Sequence, residues 1–361
     1  MRARFSTLFG WVVIVAISVL AGLLAQVTGV PAGWLVGPML VAIGASLAWP
    51  ESPKMPRLGR LASLAVVGGV LASAFEPSVI PLIARHLLPV CLVVCGTLAI
   101  SVAAGLLLSK VAGLDRRTAA LGSLPGAASG MLAMSGPLGA DPRLVAVMQY
   151  TRVVVVVFSA AAVSRFGLVP GTSQHRISAH ASPVAVQGAA LTEDALLTYV
   201  LTVFVAALGA WAGTRLRLPA GALLGPLVLG VAVEELGVVR LAWPPGVPQT
   251  AFLILGLWVG LTFDRASVER AGRLFPVVVA SSVGLVVACA GLGWTLAALT
   301  DIDSLTAYLA TTPGGIDSVA VMALGSGADA PLVLAVQTIR LLAVILAGAL
   351  LEKLAMRGPH C

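Results

Sequence analysis

Arg152 heads the run RVVVVV inside a long apolar stretch, and Arg340 stands in a second such stretch 188 residues later. Burying an ionisable group at membrane depth is costly, so such a residue is a functional candidate by default. Gln149 and Gln337 precede the arginines by three residues, which puts each Gln–Arg pair on one helix face. Two chemistries fit. The four side chains are candidates for binding a small anionic solute. Alternatively the guanidinium groups bond the carbonyls of a broken helix, or pair with a carboxylate, and hold the fold. Both stay open on the sequence, although a fold-holding contact is one that a duplication would copy.

A second candidate lies ahead of each pair. LPGAASG at 124–130 and TPGGIDS at 312–318 interrupt Gly-rich apolar segments. Pro125 and Pro313 remove a donor from the helix ladder, and Gly126, Gly314 and Gly315 permit a sharp turn. Ser129, and in the second segment Asp317 or Ser318, follow where an N-cap is expected. Amides of a half-helix starting there would form a positive end inside the membrane. The bland alternative is a Gly-rich crossing helix packed closely on its neighbours. Asp317 has Ser129 as its counterpart, so the copies differ in charge at this point. It is a candidate to bind a cation or proton, or to neutralise an arginine. Two arginines against one aspartate leave the centre net positive, which favours an anionic substrate.

These motifs sit in a duplicated frame. Residues 31–38 read PAGWLVGP and residues 219–226 read PAGALLGP, again 188 positions apart. The same offset carries Phe75-Glu76 onto Phe263-Asp264 and Gly139-Ala140-Asp141 onto Gly327-Ala328-Asp329. Pro38 and Pro226, one turn into the second helix of each copy, are expected to kink it. The pairs Glu76/Asp264 and Asp141/Asp329 read as helix ends. The N-terminal apolar run, preceded by Arg2 and Arg4, resembles a signal peptide. Its counterpart at 196–218 argues for a retained helix.

Five long apolar segments occur in each copy, near 8–30, 32–49, 58–75, 87–109 and 143–164, and near 196–214, 219–237, 249–263, 275–298 and 331–352. Hydrophobic residues make up 59% of the 361 positions and charged ones 10%. The mean hydropathy of +1.03 leaves no room for a large water-soluble domain. The expected fold is an all-α integral membrane protein of two inverted repeats, about five transmembrane helices each, with one Pro-Gly broken or re-entrant segment per repeat. Repeat 1 spans 1–165, an exposed linker 166–194, and repeat 2 195–361. Charge favours inversion over a parallel arrangement. Ten crossings leave Arg85, Arg165, Arg176 and Arg240 outside and sixteen other Lys and Arg inside, whereas twelve crossings give thirteen and seven. Both termini are then expected in the cytoplasm of a bacterial-type plasma membrane.

The net charge of +7 is accounted for by this inside bias, and no basic helix or zinc spacing points to direct nucleic-acid binding. Cys91 and Cys95 read as small core residues, and Cys289 and Cys361 complete the cysteines. His86, His175, His180 and His360 fall at loops or ends, so no metal site and no cofactor are expected.

The duplicated PAG–GP segment, the Pro-Gly break and the later Gln–Arg helix together resemble the membrane AbrB family over essentially the whole chain. The resemblance implies an internally duplicated membrane unit. It also implies two labels given to members, ammonia monooxygenase and regulator of gene expression. An oxygenase needs a metal or organic cofactor, and neither a ligand cluster nor a dinucleotide motif is present. A regulator could act indirectly, by moving or sensing a metabolite. Inverted repeats with broken helices are a transporter plan. The leading expectation is therefore a secondary transporter or exporter of a small anionic solute. A membrane sensor working through a protein partner at the loops 50–60 and 264–274 is second, and a membrane monooxygenase third. The expected partners are a small-molecule or ion solute and the lipid bilayer. Gly-rich faces allow a homo-oligomer without requiring one.

Overall fold

The computed structural model describes residues 2–30, 32–48, 55–75, 87–125, 131, 135, 138–166, 193–216, 218, 220–262 and 272–356. Among the described residues the regular structure is helical, without a strand. The first half contains α1 (Arg2–Val27), α2 (Gly33–Ala48), α3 (Arg57–Ser73), α4 (Leu87–Ala112), α5 (Arg116–Ser123) and α6 (Pro142–Phe166). The second contains α7 (Glu193–Arg215), α8 (Gly221–Glu235), α9 (Val247–Leu261), α10 (Phe275–Leu299), α11 (Ser304–Thr311), α12 (Ile316–Ser326) and α13 (Ala330–Met356). Each of the ten apolar segments read from the sequence is a helix. The short helices α5, α11 and α12 come from the two Gly-rich segments.

Five helices are long and apolar enough to cross a membrane: Gly10–Val27, Leu87–Ala112, Pro142–Phe166, Ala195–Arg215 and Phe275–Leu299. Their burial separates rim from centre. Only 17% of Gly10–Val27 is buried, against 61% of Pro142–Phe166, so α6 runs through the middle. The rim helices turn large apolar side chains outward, among them Leu20 and Leu24 on α1, Leu92 and Leu107 on α4, and Phe204 and Trp211 on α7. An apolar exterior of this extent suits lipid as the surrounding solvent. Cys91 and Cys95 belong to that exterior face of α4. Reading them as core residues is corrected: the helix period turns them outward, and in lipid a small apolar side chain gains nothing by turning in.

Local geometry is copied between the halves. Asp115 caps α5 by accepting from the amides of Arg117 (3.1 Å) and Thr118 (3.2 Å), and Asp303 caps α11 through Leu305 (3.1 Å) and Thr306 (3.0 Å). Asp141 and Asp329 each donate a backbone N–H to a threonine hydroxyl, Thr118 and Thr306, at 2.9 Å. Ala32 and Ala220 both adopt the left-handed region at φ 50°, a conformation that costs a residue with a Cβ. Pro38 and Pro226 lie inside α2 and α8, which continue on both sides of them. They therefore do not end their helices, whose ladders resume beyond the missing donor. Glu76, Asp264 and the four histidines, with most of the expected linker 166–194, lie outside the described residues.

The halves interlock reciprocally. α2 packs on α9, α3 packs on α8, and α4 packs on its own counterpart α10. Glycines permit the contact. A methyl group added at Gly68 would sit 2.2 Å from the Leu223 carbonyl oxygen, and one at Gly256 would sit 2.4 Å from that of Leu35. These are equivalent positions in the two copies, each pressed onto the other. Without a hydrophobic drive between helices in lipid, such backbone approach is the main source of association. Gly68→Ala and Gly256→Ala should each cost about 1–3 kcal/mol of apparent stability through overpacking. Gly44→Ala, on α2 with nothing within 4 Å of an added Cβ, should cost nothing. Thermal unfolding of the detergent-purified variants checks this, and equal melting temperatures for all three would refute the seam.

Candidate functional site

The two Gln–Arg pairs meet the ends of the broken helices. α5 ends at Ser123 and α11 at Thr311, and the next residue of each, Leu124 and Thr312, is extended. A helix end leaves carbonyls without an intrahelical donor. Gln149 Nε2 donates to the carbonyl oxygens of Leu121 (2.8 Å) and Leu124 (3.1 Å), and Gln337 Nε2 to those of Leu309 (2.9 Å) and Thr312 (3.1 Å). Arg152 donates through one terminal nitrogen to Ser123 O (2.9 Å) and Leu124 O (3.0 Å). Arg340 donates to Thr312 O (2.7 Å) and, through its other terminal nitrogen, to Gly314 O (3.1 Å). In each pair the guanidinium also donates to the glutamine Oε1, fixing both side chains.

This is a clamp on a helix C-terminus, present twice. All four side chains are buried, between 0% and 3% exposed. The hydrogen-bond partners of both guanidinium groups among the described residues are neutral oxygens, so two cations stand in the interior. In each, Nε is buried without a hydrogen-bond partner among the described residues. Arg152 also lines a cavity of about 10 Å³ with Ser123 and Ser282, room for about one water.

The break in the second half is described in full. Gly315 occupies the N-cap position of α12 without a side-chain cap, and the first helical bond runs from Val319 N to Gly315 O at 3.0 Å. The expectation that Asp317 or Ser318 caps this helix is corrected, because both lie inside its first turn. The Ser318 hydroxyl donates back to Gly315 O at 3.1 Å. Pro313 and Gly314 form the turn itself, and Pro125 stands at the equivalent point of the first half. Gly126 and Ser129 lie outside the described residues, as does the side chain of Asp317.

A cavity of about 250 Å³ opens between the halves beside this break. Its walls come from Arg60 and Leu64 of α3, Gln149 and Tyr150 of α6, Leu255 and Trp258 of α9, and the starts of α8 and α12. The Arg60 guanidinium carbon lies 4.4 Å from the centroid of the Trp258 ring, and the Tyr150 and Trp258 rings meet edge to face at 6.4 Å and 82°. The cavity thus joins sequence candidates Gln149, Gly315 and Ser318 to residues that motif reading missed. A signal for the missed residues exists: the copies differ there. Arg60 pairs with Pro248, Trp258 with Val70, Tyr150 with Thr338, and Ala222 with Trp34. Among the described residues no three His, Cys, Asp or Glu side chains gather as a metal-ligand set.

The clamp makes a stability prediction. Arg152→Ala or Arg340→Ala removes the side-chain donor to one buried carbonyl, Ser123 O or Gly314 O, and to the paired glutamine Oε1, and at about 1–3 kcal/mol each this should lower the melting temperature sharply. Within one half, Gln149→Ala and Arg152→Ala should be non-additive because they share Leu124 O. Additive losses in a double-mutant cycle would show that the two residues act independently.

The family model described as "Transition state regulatory protein AbrB" matches residues 34–356. The chain is 34% identical over 341 residues to "Putative regulator AbrB" of Escherichia coli (strain K12), covering 94% of each chain. It is 28% identical over 349 residues to the protein YhjN of Bacillus subtilis (strain 168), covering 92% of this chain and 89% of that one. No solved structure matches it significantly. With its apolar helices and a family match over most of its length, the chain belongs to the AbrB family in its membrane form.

Proposed function

We propose that the chain is a secondary transporter of a small anionic solute, made of two oppositely oriented copies in a bacterial-type plasma membrane with both termini cytoplasmic. The observation that carries this reading is the cavity of about 250 Å³ between the halves. Gly315, Ile316 and Ser318, at the start of a half-helix, line it, and the first amides of that helix have no intrahelical acceptor. Discontinuous helices whose N-terminal ends face a solute site at the repeat interface are a recurring transporter design. The buried charge of Arg152 and Arg340 adds a positive field, so an anion is the favoured cargo. In the ten-crossing arrangement both Gly-rich segments re-enter the membrane without crossing it. Arg60 then marks the cytoplasmic mouth of the cavity and Gly315 its deep end. Movement of a metabolite would also account for the regulator name carried by the relative in Escherichia coli, since a changed solute level alters expression indirectly.

Ala222 offers a direct test, because its counterpart in the other copy is Trp34. Ala222→Trp, made together with Ala210→Gly because Trp34 rests against Gly22 and the counterpart of Gly22 is Ala210, should fill the cavity with a side chain that the fold accepts at the equivalent place. Reconstituted into proteoliposomes and presented with organic acid anions on a solid-supported membrane, the parent should give transient currents. The variant should lose them while melting at the parent's temperature. Parent-like currents from the variant would remove the cavity from the transport route, and no current from any anion in the parent would sink the transport reading.

A further inference from the structure

We infer that the cavity beside Trp258 is a site for an organic monocarboxylate with a compact apolar body, its carboxylate held by Arg60 and its body set against Trp258 and Tyr150. The inference rests on the transport reading of the same cavity and names its substrate class. Four observations converge.

The first is the state of Arg60. Its guanidinium carbon lies over the Trp258 ring, a cation–π arrangement. A guanidinium carries a fork of N–H donors that matches the two oxygens of a carboxylate. Its Nε is buried without a hydrogen-bond partner among the described residues. Arg152 and Arg340 cannot substitute for it, because their terminal nitrogens are directed at the carbonyls of the helix breaks. Among the described lining residues Arg60 is the one cation, which matches one carboxylate, and a dianion would carry a second charge into this space without a partner among them.

The second is the lining. Leu35, Leu64, Leu255 and Ile316 join the two aromatic rings to make most of the wall apolar. An inorganic oxyanion would exchange its hydration for contacts most of which return no hydrogen bonds, whereas a hydrocarbon body gains from them. The third is size. A cavity of roughly 150 Å³ suffices for benzene. The about 250 Å³ found here takes a six-membered ring or a short chain together with its carboxylate.

The fourth is the asymmetry between the copies. In the first half Trp34 Nε1 donates to Gln26 Oε1 at 2.7 Å, a bulky pair tied together. The equivalents in the second half are Ala222 and Thr214, two small residues, and both line the cavity. Arg60, Trp258 and Tyr150 are likewise absent from the equivalent places. Fold-holding contacts such as the Gln–Arg clamp are copied, while Arg60, Tyr150, Trp258, Thr214 and Ala222 of this cavity are not. That pattern marks the cavity as specialised beyond the needs of the fold.

The test uses the full chain in detergent and in proteoliposomes at neutral pH. The binding probes are radiolabelled benzoate and hexanoate, and the competitors are benzamide, a neutral near-isostere, and inorganic phosphate. The parent should bind at least one of the two acids saturably, with little competition from benzamide or phosphate. Arg60→Gln should weaken binding by at least about tenfold, the loss expected for a charge-assisted hydrogen bond. Trp258→Leu should weaken it less. Arg60→Lys, which keeps the charge without the fork, should fall between parent and Arg60→Gln and covers the case in which the glutamine variant fails to fold. Equal affinity in the parent and the folded Arg60 variants would overturn the site, as would competition by benzamide matching that of unlabelled acid, or no binding of either acid by the parent. Counterflow of the bound acid in proteoliposomes separates this outcome from the transport reading. Binding without exchange sinks the transporter and leaves the site. Exchange that Arg60→Gln does not slow sinks the site and leaves the transporter.

Discussion

A helix that stops inside a packed interior leaves carbonyl oxygens without an intrahelical donor, and the fold of this protein is organised around that problem. Each buried backbone group left unsatisfied costs about 1–3 kcal/mol. The solution here is a glutamine and an arginine, three residues apart on an unbroken helix, aimed at the last carbonyls of a broken one. A lysine would not serve equally, because one planar guanidinium reaches two carbonyls and its own glutamine at once. The clamp fixes where α5 and α11 end. In the second half it also fixes where α12 begins, and that start forms part of the cavity wall. The uncopied residues thus stand on a frame set by the copied ones.

The seam between the halves follows the same logic of backbone proximity. Gly68 lies on Leu223 and Gly256 on Leu35, so each copy presents a glycine to the other's second helix just past the PAG turn. Those second helices begin with an alanine held in the left-handed conformation in both copies. Strain repeated at equivalent positions persists only where the surroundings over-determine it. Here the surroundings are the interlocked helices themselves, and α8 contributes its first turn to both the seam and the cavity.

Much of this was legible in the sequence. Hydropathy located the ten apolar helices, because an unbroken apolar run is a nearly sufficient signal for a helix in lipid. The constant offset of 188 found the repeat, and the i, i+3 spacing of Gln149 and Arg152 put the pair on one face. What the sequence left open was the partner. A carboxylate, a solute and a backbone carbonyl are all acceptable to a guanidinium, and only the fold brings Ser123 and Leu124 to within 3.0 Å of Arg152. The cap of α12 was misplaced because Gly315 offers no side chain to recognise. In the sequence Arg60 reads as one of the sixteen inner basic residues. Its difference from other basic residues is the ring of Trp258, nearly two hundred positions away in the chain. Cys91 and Cys95 were assigned to the core by a rule learned in water, where small apolar side chains have a reason to turn inward.

Duplication supplies a way to separate fold from function in such a chain. An arrangement the fold requires is required twice, and it survives in both copies: the aspartate caps, the threonine bonds to Asp141 and Asp329, the strained alanines, the two clamps. An arrangement needed once is free to appear in one copy alone. By that criterion Arg152 and Arg340 group with the fold, despite being the costliest residues to bury, and Arg60, Tyr150 and Trp258 group with the proposed solute site, despite being less deeply buried. Cost of burial and functional specificity therefore point to different residues here. A charge at membrane depth shows that something needs it, and in this protein the backbone supplies a sufficient need.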